Sequence, residues 1–261
     1  MITLASDFGT PYPAAMKGVI LSRTDAQLVD IAHDLPRQEP RAAAFWLRET
    51  IPYFPPAVHL AVVDPGVGTG RRAIAIRVGD HALVGPDNGL LRPVVRRLAD
   101  QNGGNPLTEA YEITVDDPAS TTFHGRDVFA PAAAEIHEQG VDRLDDLDML
   151  SPIDLDSCVD LQFPTPTRDG ETIRGEVLVV DDFGNVITNV PSAELSGVER
   201  AVVNDVVAPV VDTFDRVDAG DRLLTIGSHG YVECDVNQGR GDEAFGLAAG
   251  DDIELVFGGA D

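Results

Sequence analysis

The chain has 261 residues and a formal net charge of −25, from 44 acidic against 19 basic side chains. Apolar residues make up 43%, enough for a packed core and too many for a disordered chain. Such a charge repels nucleic acid and anionic lipid, and no apolar run approaches the ~20 residues that a membrane span needs, so neither is expected as a partner.

The acids are scattered, with Asp-Asp pairs at 116–117, 145–146, 181–182 and 251–252 and no acidic tail. A scattered acidic surface with few lysines suits a protein that works in high salt, so a halophilic host is expected. A basic partner would call for one concentrated patch. The sequence reaches Asp7 without a basic segment or a small-residue cleavage site, which predicts a cytoplasmic protein. Cys158 and Cys234 are expected as reduced, partly buried thiols.

In chain order, 1–5 reads as a short apolar strand, 14–21 as a helix and 27–32 as a strand. A helix over 40–51 opens on Pro40 and carries Ala42, Ala43, Phe45, Trp46 and Leu47, in keeping with proline at a first helical position. Residues 58–63 form a continuous apolar run, the pattern of a strand buried on both faces. Strands over 72–78 and 82–84 follow, then helices over 90–99, with its arginines exposed, and 128–137. Alternating strands and helices predict an α/β domain with a largely parallel sheet.

The segment from Phe163 to Gly170 holds Pro164 and Pro166 and ends on glycine, an extended linker followed by a turn. It divides the chain into an N-terminal α/β domain, 1–163, and a smaller domain, 170–261. In the second, short β-type runs at 171–180, 186–190, 200–203, 206–214, 222–226, 231–236 and 252–257 are punctuated by turn residues, which predicts a small β-barrel.

Polar residues cluster just after apolar strands, where open α/β sheets bind ligands. In Ser6-Asp7-Phe8-Gly9-Thr10, Asp7 is placed either to accept hydrogen bonds from a sugar diol or to cap the next helix. The Asp-Phe-Gly match to kinases lacks both the His-Arg-Asp loop and the strand lysine. The run from Asp64 to Arg72, Asp-Pro-Gly-Val-Gly-Thr-Gly-Arg-Arg, is a tight glycine-rich loop without the Gly-Lys-Ser/Thr ending of a phosphate loop. Arg71 can fold back on Asp64 and keep it ionised. Taken alone, this loop also reads as a turn tied by a salt bridge.

Pro86-Asp87-Asn88-Gly89 is a turn in which Asn88 can also line a pocket. In the run from Thr121 to Asp127, Thr-Thr-Phe-His-Gly-Arg-Asp, His124 stands in a polar turn and Asp127 near a helix N-cap. In the β-rich part, Asp181-Asp182-Phe183-Gly184-Asn185 and Gly227-Ser228-His229-Gly230-Tyr231 are dense loops. Phe183 offers a stacking face, and Asn185 can read an adenine edge. Both loops also fit ordinary hairpin turns.

In order and spacing, these segments resemble the S-adenosylmethionine hydrolase family, also called S-adenosylmethionine hydroxide adenosyltransferases, relatives of the fluorinating and chlorinating enzymes. The resemblance covers nearly the whole chain. It implies an N-terminal α/β domain, a C-terminal β-barrel and a homotrimer with sites at subunit interfaces. It further implies hydrolysis of S-adenosyl-L-methionine to adenosine and L-methionine, with Asp64, Arg71 and His124 handling the water and no cofactor or metal. Asp7 would bind the ribose, with Phe8, Asn88, Phe123 and Gly125 also against the substrate. Phe183 and Asn185 would hold adenine, with Asn237 and Arg240 at the same end. Asp181 or Asp182, with Ser228 and His229, would hold the methionine end. The halogenating relatives carry tyrosine where Asp64 stands, and the fluorinating one has serine where Gly125 stands. The alternatives are a halide-using synthase, a non-catalytic binder of S-adenosylmethionine or adenosine, and a metal hydrolase on Asp7, Asp64 and His124.

Overall fold

The structure is a computed structural model and describes residues 1–101, 103–104, 106–115, 120 and 122–257. Thr121 and the Asp116–Asp117 pair lie outside the described residues. Two compact units make up the chain, Met1–Gln162 and Phe163–Asp261.

The first unit is built on a seven-stranded sheet. Its strands are β1 (Ile2–Ser6), β2 (Leu28–Ala32), β3 (Val58–Val62), β4 (Ala73–Val78), β5 (His81–Pro86), β6 (Thr108–Ile113) and β7 (Leu150–Ile153), in the spatial order β2-β1-β3-β5-β4-β6-β7. The pairs β2–β1, β1–β3 and β3–β5 are parallel. The pairs β5–β4, β4–β6 and β6–β7 are antiparallel, so five of the seven strands point one way. β1 and β3 are buried along their whole length, as central strands covered on both faces must be. The buried polar residues within them are matched in pairs: Thr3 Oγ1 bonds His59 Nδ1 at 2.8 Å, and His59 Nε2 bonds His81 Nδ1 at 2.9 Å.

Helices α1 (Tyr12–Leu21), α2 (Pro40–Thr50), α3 (Arg92–Gln101) and α4 (Ala130–Gln139) connect the strands. One core joins Ile2, Leu4, Val58, Leu60 and Val84 of the sheet to Met16, Ile20, Phe129 and the Ala132–Ala134 run of the helices. Not all the arginines of α3 face solvent as expected. Arg92 Nη1 donates to Leu155 O at 2.7 Å, and Arg96 Nη2 donates to Leu161 O. α4 is preceded by a π-helical turn, Gly125–Phe129. Pro131 stands in the first turn of α4 and has no N–H to give, which marks the start of regular helix two residues past the expected position.

The second unit is antiparallel. Its strands are β8 (Thr167–Asp169), β9 (Thr172–Val180), β10 (Val186–Pro191), β11 (Arg200–Val203), β12 (Val206–Pro209), β13 (Arg222–Ile226), β14 (Tyr231–Val236) and β15 (Asp252–Phe257). They follow the order β12-β11-β15-β9-β10-β14-β13, with β8 on β9. Val210 then bridges Leu224 of β13, and Val211 N donates to Leu224 O at 3.0 Å. The two ends of the sheet meet there, giving a nearly closed barrel. β12 stops at Pro209, short of the run expected to Phe214. A one-turn helix, α5 (Gly241–Phe245), follows β14. Inward residues of alternating strands fill the barrel, among them Val177, Val186, Leu224, Val232, Cys234 and Leu255. Cys158 and Cys234 are both buried free thiols.

Candidate active site

The parallel strands β2, β1, β3 and β5 end at one edge of the first sheet, the edge at which such sheets bind ligands. His33 follows β2, Asp7 follows β1, Asp87 follows β5, and Asp64 stands two residues beyond β3.

The Asp64 loop closes on itself. Gly66 N donates to Asp64 Oδ1 at 3.1 Å, and Thr69 Oγ1 donates to Gly66 O at 2.7 Å. This turn brings Arg71 back over the strand end. Arg71 Nε donates to Asp64 Oδ1 at 3.0 Å, and Nη2 donates to Asp64 Oδ2. The side chains of Asp64 and Arg71 are only 4% and 10% exposed, so this is a desolvated bidentate pair, unlike an exposed bridge. The guanidinium packs on the Phe129 ring, 5.3 Å from its centroid. Its Nη2 also lies 3.4 Å from His124 Nδ1. A guanidinium only donates, so the facing Nδ1 carries the lone pair and the ring proton sits on Nε2. Arg71 thus links Asp64 to His124, residues from two separate loops.

A cleft of about 510 Å³ lies beside this group, lined by Asp7, Phe8, Asp64 and Phe123. Tyr12, Arg37, Gln38, Ser120 and Arg126 complete much of its wall. Three rings form an aromatic corner: Phe8 and Phe123 are 6.0 Å apart, Tyr12 and Phe123 5.6 Å, and Phe8 and Tyr12 6.5 Å, all edge-to-face. Gly125 sits behind it. A Cβ there would meet Phe123, Met16 and Phe8 at 3.1–3.2 Å. Asp7 does not cap α1, whose N-cap has no side-chain bond. Its Oδ2 instead accepts from Gln38 N at 2.8 Å, leaving Oδ1 for the cleft. Asp127 is likewise no cap of α4. It lies in the π turn, bonded to Arg126 at 2.6 and 2.7 Å, and the guanidinium holds its carboxyl below the usual carboxylate range.

Of the three residues expected to handle water, Asp64 lines the cleft, while Arg71 and His124 stand behind it. Asn88 is not on the wall. Its Nδ2 donates to Val63 O at 2.8 Å, and its Oδ1 accepts from Leu90 N at 3.2 Å. Tyr12, Arg37, Gln38 and Ser120 were not indicated by any motif. The nearest signal for Arg37 and Gln38 is their place in the loop after β2.

The remaining expected residues lie in the barrel unit. Asp181 organises its own turn: Oδ1 accepts from Phe183 N and Asn185 N at 2.9 Å each, and Oδ2 from Asn185 Nδ2 at 3.0 Å. Phe183 is 79% exposed at the tip. Gly184 takes φ +88°, and a Cβ there would strike the Arg240 stem at 2.8 Å. Arg240 lies across the turn, donating to Asp182 O at 3.2 Å while paired with Asp242 at 2.8 Å. Asn237 Nδ2 donates to Val217 O at 2.8 Å. In the 227–231 turn, Ser228 is exposed and His229 half-buried. Among the described residues, no three His, Cys, Asp or Glu side chains are placed to hold a metal ion.

The chain matches the SAM hydroxide adenosyltransferase N-terminal domain over residues 2–147 and the C-terminal domain over 175–254. It is 38% identical over 261 residues to the (R)-S-adenosyl-L-methionine hydrolase of Salinispora tropica, with 98% of each chain covered. The protein of that name from Thermus thermophilus is 40% identical over 264 residues, with 96% of this chain and 97% of the relative covered. A solved structure of an uncharacterized conserved protein from Thermotoga maritima superposes with a TM-score of 0.81 at 32% identity, covering 98% of this chain and all of that one. The paired domains, the full-length identity and the shared fold agree: the chain belongs to the SAM hydroxide adenosyltransferase family.

Proposed function

We propose that this protein hydrolyses S-adenosyl-L-methionine to adenosine and L-methionine. The observation that carries this is the Asp64–Arg71–His124 group beside a cleft that presents Asp7 and an aromatic corner. A water held by Asp64 attacks the ribose C5′. The C5′–O bond forms as the C5′–S bond breaks, and the electron pair stays on sulfur. The leaving group is a neutral thioether and needs no general acid. Water gives up its proton to Asp64 and then to solvent, and the positive charge of Arg71 favours hydroxide character at the oxygen. His124, protonated on Nε2, donates toward that oxygen. Holding the water in line and dry supplies most of the acceleration.

Asp7 binds the ribose hydroxyls through the oxygen that Gln38 leaves open, and Phe8 and Phe123 pack on the nucleoside. In the α/β domain of 1–163, Asn88 and Gly125 support these walls. In the barrel domain of 170–261, Phe183 and Asn185 take adenine, with Asn237 and Arg240, while Asp182, Ser228 and His229 meet the methionine end. The active form is a homotrimer with sites at subunit interfaces, working in the cytoplasm of a halophile. Lys17 is the chain's only lysine among its 19 basic residues, in keeping with that host.

Incubation with S-adenosyl-L-methionine in oxygen-18 water, followed by chromatography, tests the reaction. Labelled adenosine and unlabelled methionine are expected. A 5′-chloro nucleoside formed in high chloride, or no turnover at all, rules it out.

A further inference from the structure

Arg71 has an anchor beyond Asp64 and His124. Its Nη1 donates to the backbone carbonyl of Arg72. The same oxygen accepts from Asp87 N at 3.0 Å, which carries the antiparallel pairing of β4 and β5 one residue past Ala73 and Pro86. A carbonyl has two lone pairs and can take both donors at once.

The side chains of Arg72 and Asp87 close the arrangement. Asp87 is 6% exposed. Its Oδ2 accepts from Arg72 Nε at 2.9 Å and from Nη2 at 2.6 Å, and its Oδ1 accepts from Val159 N at 2.8 Å. Arg72 also donates to Ser157, from Nη2 to the carbonyl at 2.5 Å and from Nη1 to Oγ at 3.3 Å. Residues 157–159 are thereby strapped to the end of the sheet where β4 begins and β5 stops. A buried carboxylate whose charge is matched and whose two oxygens are filled is a rigid point. Neither Arg72 nor Asp87 lines the cleft, so neither meets a substrate held there. They reach the site through the Arg72 carbonyl.

We propose that Asp87 and Arg72 are positioning residues: their pairing holds the Arg72 carbonyl in place, the carbonyl fixes the guanidinium of Arg71, and Arg71 aims Asp64 at the attacking water. This rests on the function proposed above. Asp64 and His124 bind Arg71 through side chains, which can swing together with it. The Arg72 carbonyl is part of a sheet ladder and cannot. It gives the group a direction in the frame of the domain. In-line attack is sensitive to shifts of about 1 Å, so loosening this anchor acts on the chemical step.

The test is a double-mutant cycle. Asp87→Asn keeps the shape of the side chain and removes its charge. With S-adenosyl-L-methionine it is expected to lower kcat about 10–100-fold, with KM within about 2-fold of wild type. In an Arg71→Ala background the same change should cost less than about 2-fold, because the group it acts through is gone. Equal losses in both backgrounds, a loss carried by KM alone, or no loss in either overturns the proposal. Should Asp87→Asn fail to fold, Arg72→Lys takes its place in the cycle, since it keeps the buried charge paired without the fork that spans Asp87 and Ser157. Hydrogen exchange at Arg71 Nε, identified by NMR as the signal lost in Arg71→Ala, gives a readout without turnover. Exchange about 10-fold faster in Asp87→Asn, with the amides of β3 still protected, supports the proposal. An unchanged Nε rate, or equal acceleration in β3, overturns it. Absence of hydrolysis in wild type with that exchange difference present would sink only the proposed reaction.

Discussion

Arg71 grips both oxygens of Asp64, and the same Nη2 reaches His124 Nδ1 at 3.4 Å. One guanidinium therefore sets the direction of a carboxylate from the loop after β3 and of an imidazole from the turn before α4. The pair is desolvated, so its Coulomb attraction is weakly screened and its geometry is fixed before any ligand arrives. Oδ1 is filled by Arg71 Nε and Gly66 N, but Oδ2 accepts only from Arg71 and keeps a second lone pair for a water on the cleft side.

Replacing Asp64 by alanine should therefore lower kcat far more than it changes KM. A loss of about 10²–10⁴-fold is expected for a group that holds and deprotonates the nucleophile. Steady-state kinetics by product chromatography measures it. Arg71→Lys should also lose activity, since a point charge cannot span both oxygens of Asp64. Normal turnover in Asp64→Ala would remove this group from the reaction altogether.

Gly125 is the position at which a single added carbon should be felt. Phe123, Met16 and Phe8 all stand within 3.1–3.2 Å of where its Cβ would lie. Overpacking of this kind costs about 1–3 kcal/mol, and here two of the three neighbours line the cleft. Gly125→Ser should lower the unfolding midpoint and raise KM together. A variant with unchanged KM would show that the aromatic corner does not touch the substrate.

How far the sequence could be read follows from local physics. β1 and β3 were legible because central strands are continuous apolar runs, and Asp7 and Asp64 were legible because they stand just past those runs. β7 was not, because Pro152 argues against a strand; it is accommodated here because β7 is the edge of its sheet. β6 mixes Glu109 and Glu112 with Ala110, Tyr111 and Ile113 and gives no clean period. Arg37 and Gln38 reach the cleft through a backbone path that includes Gln38 at φ +59°, a left-handed conformation that glutamine does not advertise. The bond between Arg71 and His124 spans 53 residues, and no local pattern encodes it.

Three buried groups give stability opposing pH dependences. Burial, aided by His81, lowers His59 to about 3. The unfolded chain then binds more protons than the native state between about pH 6.5 and 3, so stability falls as pH falls through that window. Glu233, raised to about 7, and Asp235, raised to about 6 chiefly by burial, act the other way. The native state holds their protons longer, so stability falls as pH rises from about 4 to 7. Glu233→Gln removes one of these terms and should stabilise the free protein at pH 8, on the order of 3 kcal/mol relative to its effect at pH 4. Denaturant midpoints at the two pH values check this. A midpoint difference that does not grow with pH would mean that Glu233 is not the group that titrates.

Salt should stabilise this chain strongly. With a net charge of −25, the compact state repels itself. Many of the acids are exposed, including Asp182, Asp205, Asp215, Asp218 and Asp221, and the single lysine is already paired with Asp30 at 2.6 Å. The buried pair of Asp64 and Arg71 is screened little by ions, whereas repulsion across the surface is screened heavily. The Debye length shrinks from about 10 Å at 0.1 M to about 3 Å at 1 M, so repulsion between exposed neighbours is largely removed over that range. The unfolding temperature should thus climb steadily from 0.1 to about 1 M potassium chloride, with activity retained at the top of the series. If the protein is as stable in dilute buffer as in molar salt, the acidic surface is not an adaptation to salt, and the halophilic host proposed here is wrong.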